Sequence, residues 1–131
     1  ETVLVVEDEP GVRALVCRVL RRAGYHVLEA GEPGVALELA RTYPDPIDLV
    51  VSDVVMPGLP GPEFTRRLLG ERPGTQVLYM SGYNESEVLR HGISAETTAF
   101  IQKPMTPAAL ATKVRALLDA RAGAGSEVAH A

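Results

Sequence analysis

The sequence predicts an α/β protein in which a five-stranded, doubly wound parallel sheet carries helices on both faces. Short apolar runs rich in β-branched residues alternate with segments whose apolar residues recur every three to four positions. The chain has 131 residues, 46% of them hydrophobic, which is enough for one core. We therefore expect a single domain over residues 1–120 and a short tail or linker over residues 121–131.

Charge and cysteine content exclude several classes of protein. The net charge is −4 and the 13 basic residues are spread along the chain, so no basic patch predicts contact with nucleic acid or a membrane surface. A single cysteine, Cys17, cannot form an internal disulfide, which favours a cytoplasmic setting. No apolar run approaches the roughly twenty residues that span a bilayer. The chain starts at Glu1 rather than methionine, which favours a piece of a longer protein.

The first half of the chain follows the strand and helix alternation closely. The run Val3 to Val6 predicts a strand buried on both faces. A predicted helix follows this strand, because apolar residues recur there at helical spacing. It ends before Gly24, where a residue in the left-handed conformation is expected. The further elements predicted in this half are a strand over residues 25–30, a helix over 33–43 and a strand over 47–52.

The second half is less regular. The loop over residues 56–62 is rich in proline and glycine and is predicted to be non-helical. Thr106 is expected to cap a strong final helix, with Pro107 at its first position. The other predicted elements are a helix over 63–71, strands over 75–80 and 99–101, and a short or irregular fourth helix over 86–92.

Polar side chains follow four of the predicted strands. In open parallel sheets the ligand site lies outside the carboxyl ends of the strands. The residues at these ends are Glu7 and Asp8 after the first strand, Asp53 after the third, Ser81 after the fourth and Lys103 after the fifth. We expect all of them to line one pocket.

These residue types predict phosphoryl chemistry assisted by a divalent cation. Three carboxylates so close together disfavour joint ionisation unless a cation neutralises them. Mg²⁺, with Mn²⁺ as a possible substitute, prefers carboxylate and phosphate oxygens. Lys103 and Ser81 can neutralise and hydrogen-bond the oxygens of a phosphoryl group, since its transfer needs mainly positioning and charge neutralisation. Asp53 is the best-placed nucleophile, because a carboxylate can form an aspartyl phosphate.

The same residues carry a family resemblance. Over residues 2–120 the chain resembles the receiver domains of bacterial two-component systems, in the segments Glu7-Asp8, Asp53 to Gly58, Ser81-Gly82 and Lys103-Pro104. The resemblance implies a flavodoxin-like receiver fold with strand order 2-1-3-4-5. It implies that Asp53 takes phosphate from a phosphohistidine of a histidine kinase or phosphotransfer domain. It also implies a signalling domain that promotes its own phosphorylation and dephosphorylation and is not a turnover enzyme.

The resemblance further implies how the metal ion is held. Asp8, Asp53 and the backbone carbonyl of Val55 would bind Mg²⁺, while Glu7 would act mainly through water.

Contacts to the phosphoryl group and a conformational switch are implied in the same way. Ser81 and Lys103 would contact the phosphoryl group, and the Lys103-Pro104 peptide would be cis. Ser81 and Phe100 would form the switch. Phe100 lacks the hydroxyl of the family's common tyrosine, so it can signal by packing but not by a hydrogen bond.

Within the family, three segments look most like receivers fused to hybrid sensor histidine kinases: residues 80–83, 90–92 and 100–104. A free-standing response regulator is the alternative. The sequence names neither the cognate kinase nor the output partner.

Two other functional classes fit the fold less well. A phosphatase of the haloacid dehalogenase type needs a second acid two positions after its nucleophile, where this chain has Val55. A flavin-binding module needs a loop of free N–H groups after the first strand, where Glu7 and Asp8 would repel the flavin phosphate.

Overall fold

The structure is a computed structural model that describes residues 1–54, 56–81, 99–103 and 105–130, with side chains up to residue 120. The strands in these ranges are β1 (Thr2–Val6), β2 (His26–Ala30), β3 (Leu49–Asp53), β4 (Gln76–Ser81) and β5 (Ala99–Gln102). The helices are α1 (Pro10–Arg22), α2 (Pro33–Thr42), α3 (Gly61–Glu71) and α4 (Pro107–His130).

The strands form one parallel sheet in the order β2-β1-β3-β4-β5. This confirms the predicted fold class and strand order. The order puts β1 next to β3 and β3 next to β4, so the carboxyl ends of these three strands are neighbours at one edge of the sheet. The residues that follow them are therefore brought together.

Strand β1 shows why the apolar runs are continuous rather than alternating. Its residues Val3 and Val5 pack in a core cluster with α1 and α4, while Leu4 and Val6 pack in a second cluster with α2 and α3. All four side chains are completely buried. A strand covered by helices on both faces needs apolar residues at every position.

Local contacts define the helix termini, and those at Thr106 and Gly24 confirm predictions. The Glu9 side chain accepts two backbone N–H hydrogen bonds from the first turn of α1. Thr106 caps α4, since its Oγ1 accepts a 3.0 Å hydrogen bond from the backbone N–H of Ala109. Gly24 follows α1 with a φ of +98°, a left-handed conformation that favours glycine.

Two helix boundaries differ from the prediction. Helix α3 begins at Gly61 because Pro62 lies in its first turn, where a missing N–H leaves no helical hydrogen bond unmade. Helix α4 continues to His130, through most of the segment predicted to be a tail, although Gly123 and Gly125 lower the helix propensity there. The domain boundary at residue 120 stays a prediction, and the predicted helix over 86–92 lies outside the described residues. None of the described helices combines the length and the apolarity needed to cross a membrane.

Cys17 belongs to the core between the sheet and α1, and its side chain is 1% exposed. Burial, assisted by the nearby carboxylate of Glu29, raises the pKa of the thiol to about 11. We expect the native protein at pH 8 to react with Ellman's reagent about a hundredfold more slowly than the urea-unfolded protein, because the thiolate is the reactive form. Equal rates in the two states would show that this thiol is accessible and ionisable in the fold.

Candidate functional site

Four strand ends bring the predicted residues to one edge of the sheet. Glu7 follows β1, Asp53 is the last residue of β3, Ser81 is the last residue of β4, and Lys103 follows β5. In the sheet register Asp53 lies opposite Met80, which directly precedes Ser81 in β4. Asp53 and Ser81 therefore lie close together at the ends of two paired strands. The predicted convergence is therefore present in the fold.

Glu7, Asp8 and Asp53 form a compact acidic cluster. Each offers one carboxylate oxygen, and these oxygens lie within 4.8 Å of one another. Glu7 is buried, Asp53 is partly buried and Asp8 is exposed. The cluster thus has a closed side at Glu7 and a side open to solvent at Asp8.

Lys103 supplies the positive charge beside this cluster. Its Nζ lies 2.8 Å from Oε2 of Glu7 and 3.4 Å from Oδ2 of Asp53. Its backbone N–H donates a 2.6 Å hydrogen bond to the carbonyl of Ser81, which anchors the lysine to the end of β4. If all three carboxylates are ionised, one ammonium group leaves a formal charge of −2 on these four side chains.

Burial and charge act in opposite directions on these groups. Burial is the main influence on Glu7 and raises its pKa, although hydrogen bonds from Lys103 and from the backbone N–H of Glu9 oppose that shift. For Lys103, burial acts to lower the pKa, but the hydrogen bond to Glu7 and the nearby carboxylate charges outweigh it and the pKa is raised. Lys103 is therefore an ammonium group at neutral pH, and Glu7 needs positive charge nearby to remain ionised.

The donor set fits a small, hard divalent cation. Magnesium–oxygen distances are about 2.1 Å, so oxygens that share one ion are up to about 4.2 Å apart. The spacing within the cluster is close to that limit. The exposed side at Asp8 leaves room for the waters that Mg²⁺ retains. Both carboxylate oxygens of Glu7 already accept hydrogen bonds, Oε2 from Lys103 and Oε1 from the backbone N–H of Glu9. We therefore expect Asp8 and Asp53 to be the more direct ligands.

Ser81 and Phe100 lie on the neighbouring strands β4 and β5. Ser81 is buried and pairs with Gln102 in the register. Phe100 is half-buried, lies opposite Tyr79, and packs against a small cluster that contains Val54, the residue after the proposed acceptor. The two predicted switch residues thus lie on two strands that pair directly with each other. Val55, Pro104 and the Lys103-Pro104 peptide lie outside the described residues, so their predicted roles stay predictions.

Gly61 and Arg13 support the site but were not identified from the sequence. The backbone N–H of Gly61 donates a 2.9 Å hydrogen bond to the carbonyl of Val54. A Cβ at Gly61 would lie 2.7 Å from the carbonyl oxygens of both Asp53 and Val54. Nη1 of Arg13 donates a 2.8 Å hydrogen bond to the carbonyl of Glu7. For Gly61, the only signal in the sequence is a glycine near the predicted start of a helix, which is weak evidence for a close backbone contact.

Comparison with known proteins gives three consistent findings. The family described as "Response regulator receiver domain" matches residues 3–115. Sensor kinase CckA of Brucella abortus is 39% identical over 118 residues, which cover 90% of this chain and 12% of that protein. The probable transcriptional regulatory protein TcrX of Mycobacterium tuberculosis is 33% identical over 117 residues, covering 89% of this chain and 49% of that protein.

Among solved structures, the receiver domain from the hybrid histidine kinase CckA has a TM-score of 0.76 and 36% identity. The match covers 90% of this chain and 99% of that one. In contrast, the chain spans at most about half the length of the two curated relatives above.

Proposed function

Because this chain belongs to the response regulator receiver domain family, we propose that it is the phosphoacceptor domain of a two-component phosphorelay. Asp53 is the acceptor. One observation carries the proposal: the Asp53 carboxylate lies with those of Glu7 and Asp8 within 4.8 Å and has the Lys103 ammonium 3.4 Å away. This combination provides a nucleophile, a cation site and a fixed positive charge in one place.

In the proposed reaction, a carboxylate oxygen of Asp53 attacks the phosphorus of a phosphohistidine. The new O–P bond forms as the P–N bond breaks, and the imidazole of the donor leaves. Lys103 is positioned to neutralise charge on the phosphoryl oxygens, and the buried Ser81 would donate a hydroxyl hydrogen bond to one of them. Asp8, Asp53 and the carbonyl of Val55 would hold Mg²⁺, with Glu7 in a more indirect role, and the bound ion would supply charge neutralisation for the transferring group.

The donor in this proposal is a histidine kinase or a phosphotransfer domain, and the domain works in the cytoplasm as a switch rather than a turnover enzyme. The similarity to sensor kinase CckA and to the receiver of a hybrid histidine kinase supports a hybrid kinase as the parent protein. The similarity to a transcriptional regulatory protein supports the alternative of a free response regulator. The complete reading frame of the gene separates the two, because only the first contains a kinase core.

Intact-protein mass spectrometry tests the proposal directly. With acetyl phosphate and Mg²⁺ we expect an adduct of about 80 Da on the wild type. We expect no adduct on Asp53→Asn or in the presence of excess EDTA. Asp45→Asn is the matched control, since Asp45 is an exposed aspartate in the loop before β3, and it should be modified like the wild type.

Two outcomes would contradict the proposal. One is the absence of an adduct on the wild type, and the other is an equal adduct on Asp53→Asn. Continuous release of phosphate from p-nitrophenyl phosphate would instead favour the phosphatase class.

A further inference from the structure

Two buried hydroxyl groups connect α3 to β4 beside the site. The hydroxyl of Tyr79 is hydrogen-bonded to Oγ1 of Thr65. Oγ1 of Thr65 in turn donates a 3.1 Å hydrogen bond to the carbonyl of Pro62. Because a threonine hydroxyl carries one proton and that proton is given to Pro62, the Tyr79 hydroxyl must donate to Thr65. The result is a directed chain from Tyr79 through Thr65 to Pro62.

One end of this chain lies against the phosphoacceptor strand. Pro62 follows Gly61, whose N–H is hydrogen-bonded to the carbonyl of Val54. The N–H of Val54 donates a 3.1 Å hydrogen bond to the carbonyl of Met80 in β4. The turn that begins α3, the residue after Asp53, and β4 are thus bonded to one another.

The other end of the chain lies against Phe100. Tyr79 is directly opposite Phe100 in the pairing of β4 with β5. Both aromatic rings belong to the small cluster that includes Val54 and Val77. Phe100 cannot make a side-chain hydrogen bond, so the Tyr79 hydroxyl is the polar group of this cluster within the described part of the chain.

Burial makes the hydroxyl pair sensitive to its surroundings. Tyr79 is 6% exposed and Thr65 is 4% exposed. A hydroxyl group buried this deeply cannot hydrogen-bond to water if its partner moves away. The hydrogen bond between Tyr79 and Thr65 therefore breaks only when neighbouring groups rearrange as well. Burial also raises the pKa of the Tyr79 hydroxyl, which keeps it a neutral donor at physiological pH.

We propose that the hydrogen bond between Tyr79 and Thr65 is a latch that holds Phe100 in the unphosphorylated arrangement. Phosphorylation of Asp53 moves the residues after β3, and the latch passes this movement to the aromatic cluster. The inference rests on the proposed function and deepens it, because it names positioning residues that regulate the same site. Tyr79 and Thr65 do not belong to the acidic cluster, and their contacts run to Pro62 and to the cluster that contains Phe100, so they act through these residues.

Fluorine NMR can observe this coupling, because Phe64 and Phe100 are the only two phenylalanines in the sequence. Labelling with 4-fluorophenylalanine gives two resonances, which Phe100→Leu assigns. Phe64 is completely buried in the other core cluster with α2, so its signal distinguishes a change in that cluster from a change at Phe100. In the wild type, acetyl phosphate and Mg²⁺ should move the Phe100 signal far more than that of Phe64.

Thr65→Val removes the acceptor hydroxyl with little change in volume, while Thr65→Ser retains it. Without phosphate, the Phe100 signal of Thr65→Val should lie at least halfway towards the phosphorylated wild-type position. Thr65→Ser should keep the wild-type position. The extent of modification, measured by intact mass, should agree within twofold among the three proteins. If Thr65→Val does not fold, Tyr79→Phe gives the same test, with its third resonance assigned by difference.

The two proposals fail in different ways. Absence of a mass adduct on the wild type refutes the proposed function and this inference with it. A normal adduct on the wild type without movement of the Phe100 signal refutes the latch alone. The latch is also refuted if the Phe100 signal of Thr65→Val matches the wild-type position both without and with phosphorylation. The hydroxyl pair would then be only structural.

Discussion

Replacing Gly61 with alanine is expected to lower the free energy of unfolding by about 2–4 kcal/mol, even though alanine is the better helix former. The added Cβ would lie 2.7 Å from the carbonyl oxygens of Asp53 and Val54 and 3.0 Å from Cα of Val54. All three atoms belong to the backbone, so no side-chain rotation relieves the overlap. Either α3 or the end of β3 must move.

Gly70→Ala is the matched control because Gly70 lies in the same helix and has no atom within 4 Å of an added Cβ. This variant should be neutral or stabilised by about 0.5–1 kcal/mol. Urea unfolding followed by circular dichroism measures both variants. A Gly61→Ala protein as stable as Gly70→Ala would show that α3 does not lie as close to β3 as the structure places it.

Replacing Lys103 with methionine is expected to have the second large effect, on both stability and phosphorylation. Glu7 is 1% exposed and would lose the ammonium group that lies 2.8 Å from its carboxylate. Removing one partner of a buried ion pair typically costs about 3–5 kcal/mol, and the 22% exposure of Lys103 places this pair near the lower end. Adduct formation with acetyl phosphate should slow about a hundredfold, because a fixed charge at the transferring group is lost.

The stability loss should depend on pH. In metal-free buffer, burial already raises the pKa of Glu7 in the folded wild type, and the hydrogen bond from Lys103 opposes that rise. Without the lysine, the folded state therefore holds its proton on Glu7 to still higher pH. When the pKa of a group is higher in the folded state than in the unfolded state, its protonation stabilises the fold. This stabilisation is complete below the unfolded-state pKa of about 4.3 and is lost as the pH rises through the folded-state pKa. The difference between variant and wild type should thus be small near pH 4.5 and largest near pH 8.

Lys113→Met is the control for Lys103→Met, since Lys113 is the only other lysine of the chain and lies within α4. It should unfold and be phosphorylated like the wild type. The double variant Glu7→Gln/Lys103→Met should recover much of the stability but not the rate. If the loss of unfolding free energy in Lys103→Met does not change with pH, Glu7 is not the buried carboxylate that lacks a positively charged partner.

The candidate site was largely predictable because its geometry follows from a simple rule of parallel sheets. A buried strand is visible as an unbroken apolar run, and polar residues directly after it must lie at the carboxyl edge. That rule brought Asp53 and Lys103 together from positions fifty residues apart. The helix boundaries were less predictable, since Pro62 inside the first turn of α3 and the extension of α4 depend on local energies that differ little.

By itself, the sequence determined the fold class, the order of the elements and the identity of the acidic cluster, because apolar periodicity and strand-end chemistry are local properties of the chain. Only the tertiary structure decided that Lys103 pairs with buried Glu7 as well as with Asp53, that α3 approaches β3 closely enough to require Gly61, and that Thr65 and Tyr79 share a hydrogen bond. These contacts join residues that are distant in sequence. Their distances depend on how helices pack on the sheet, which no local pattern encodes.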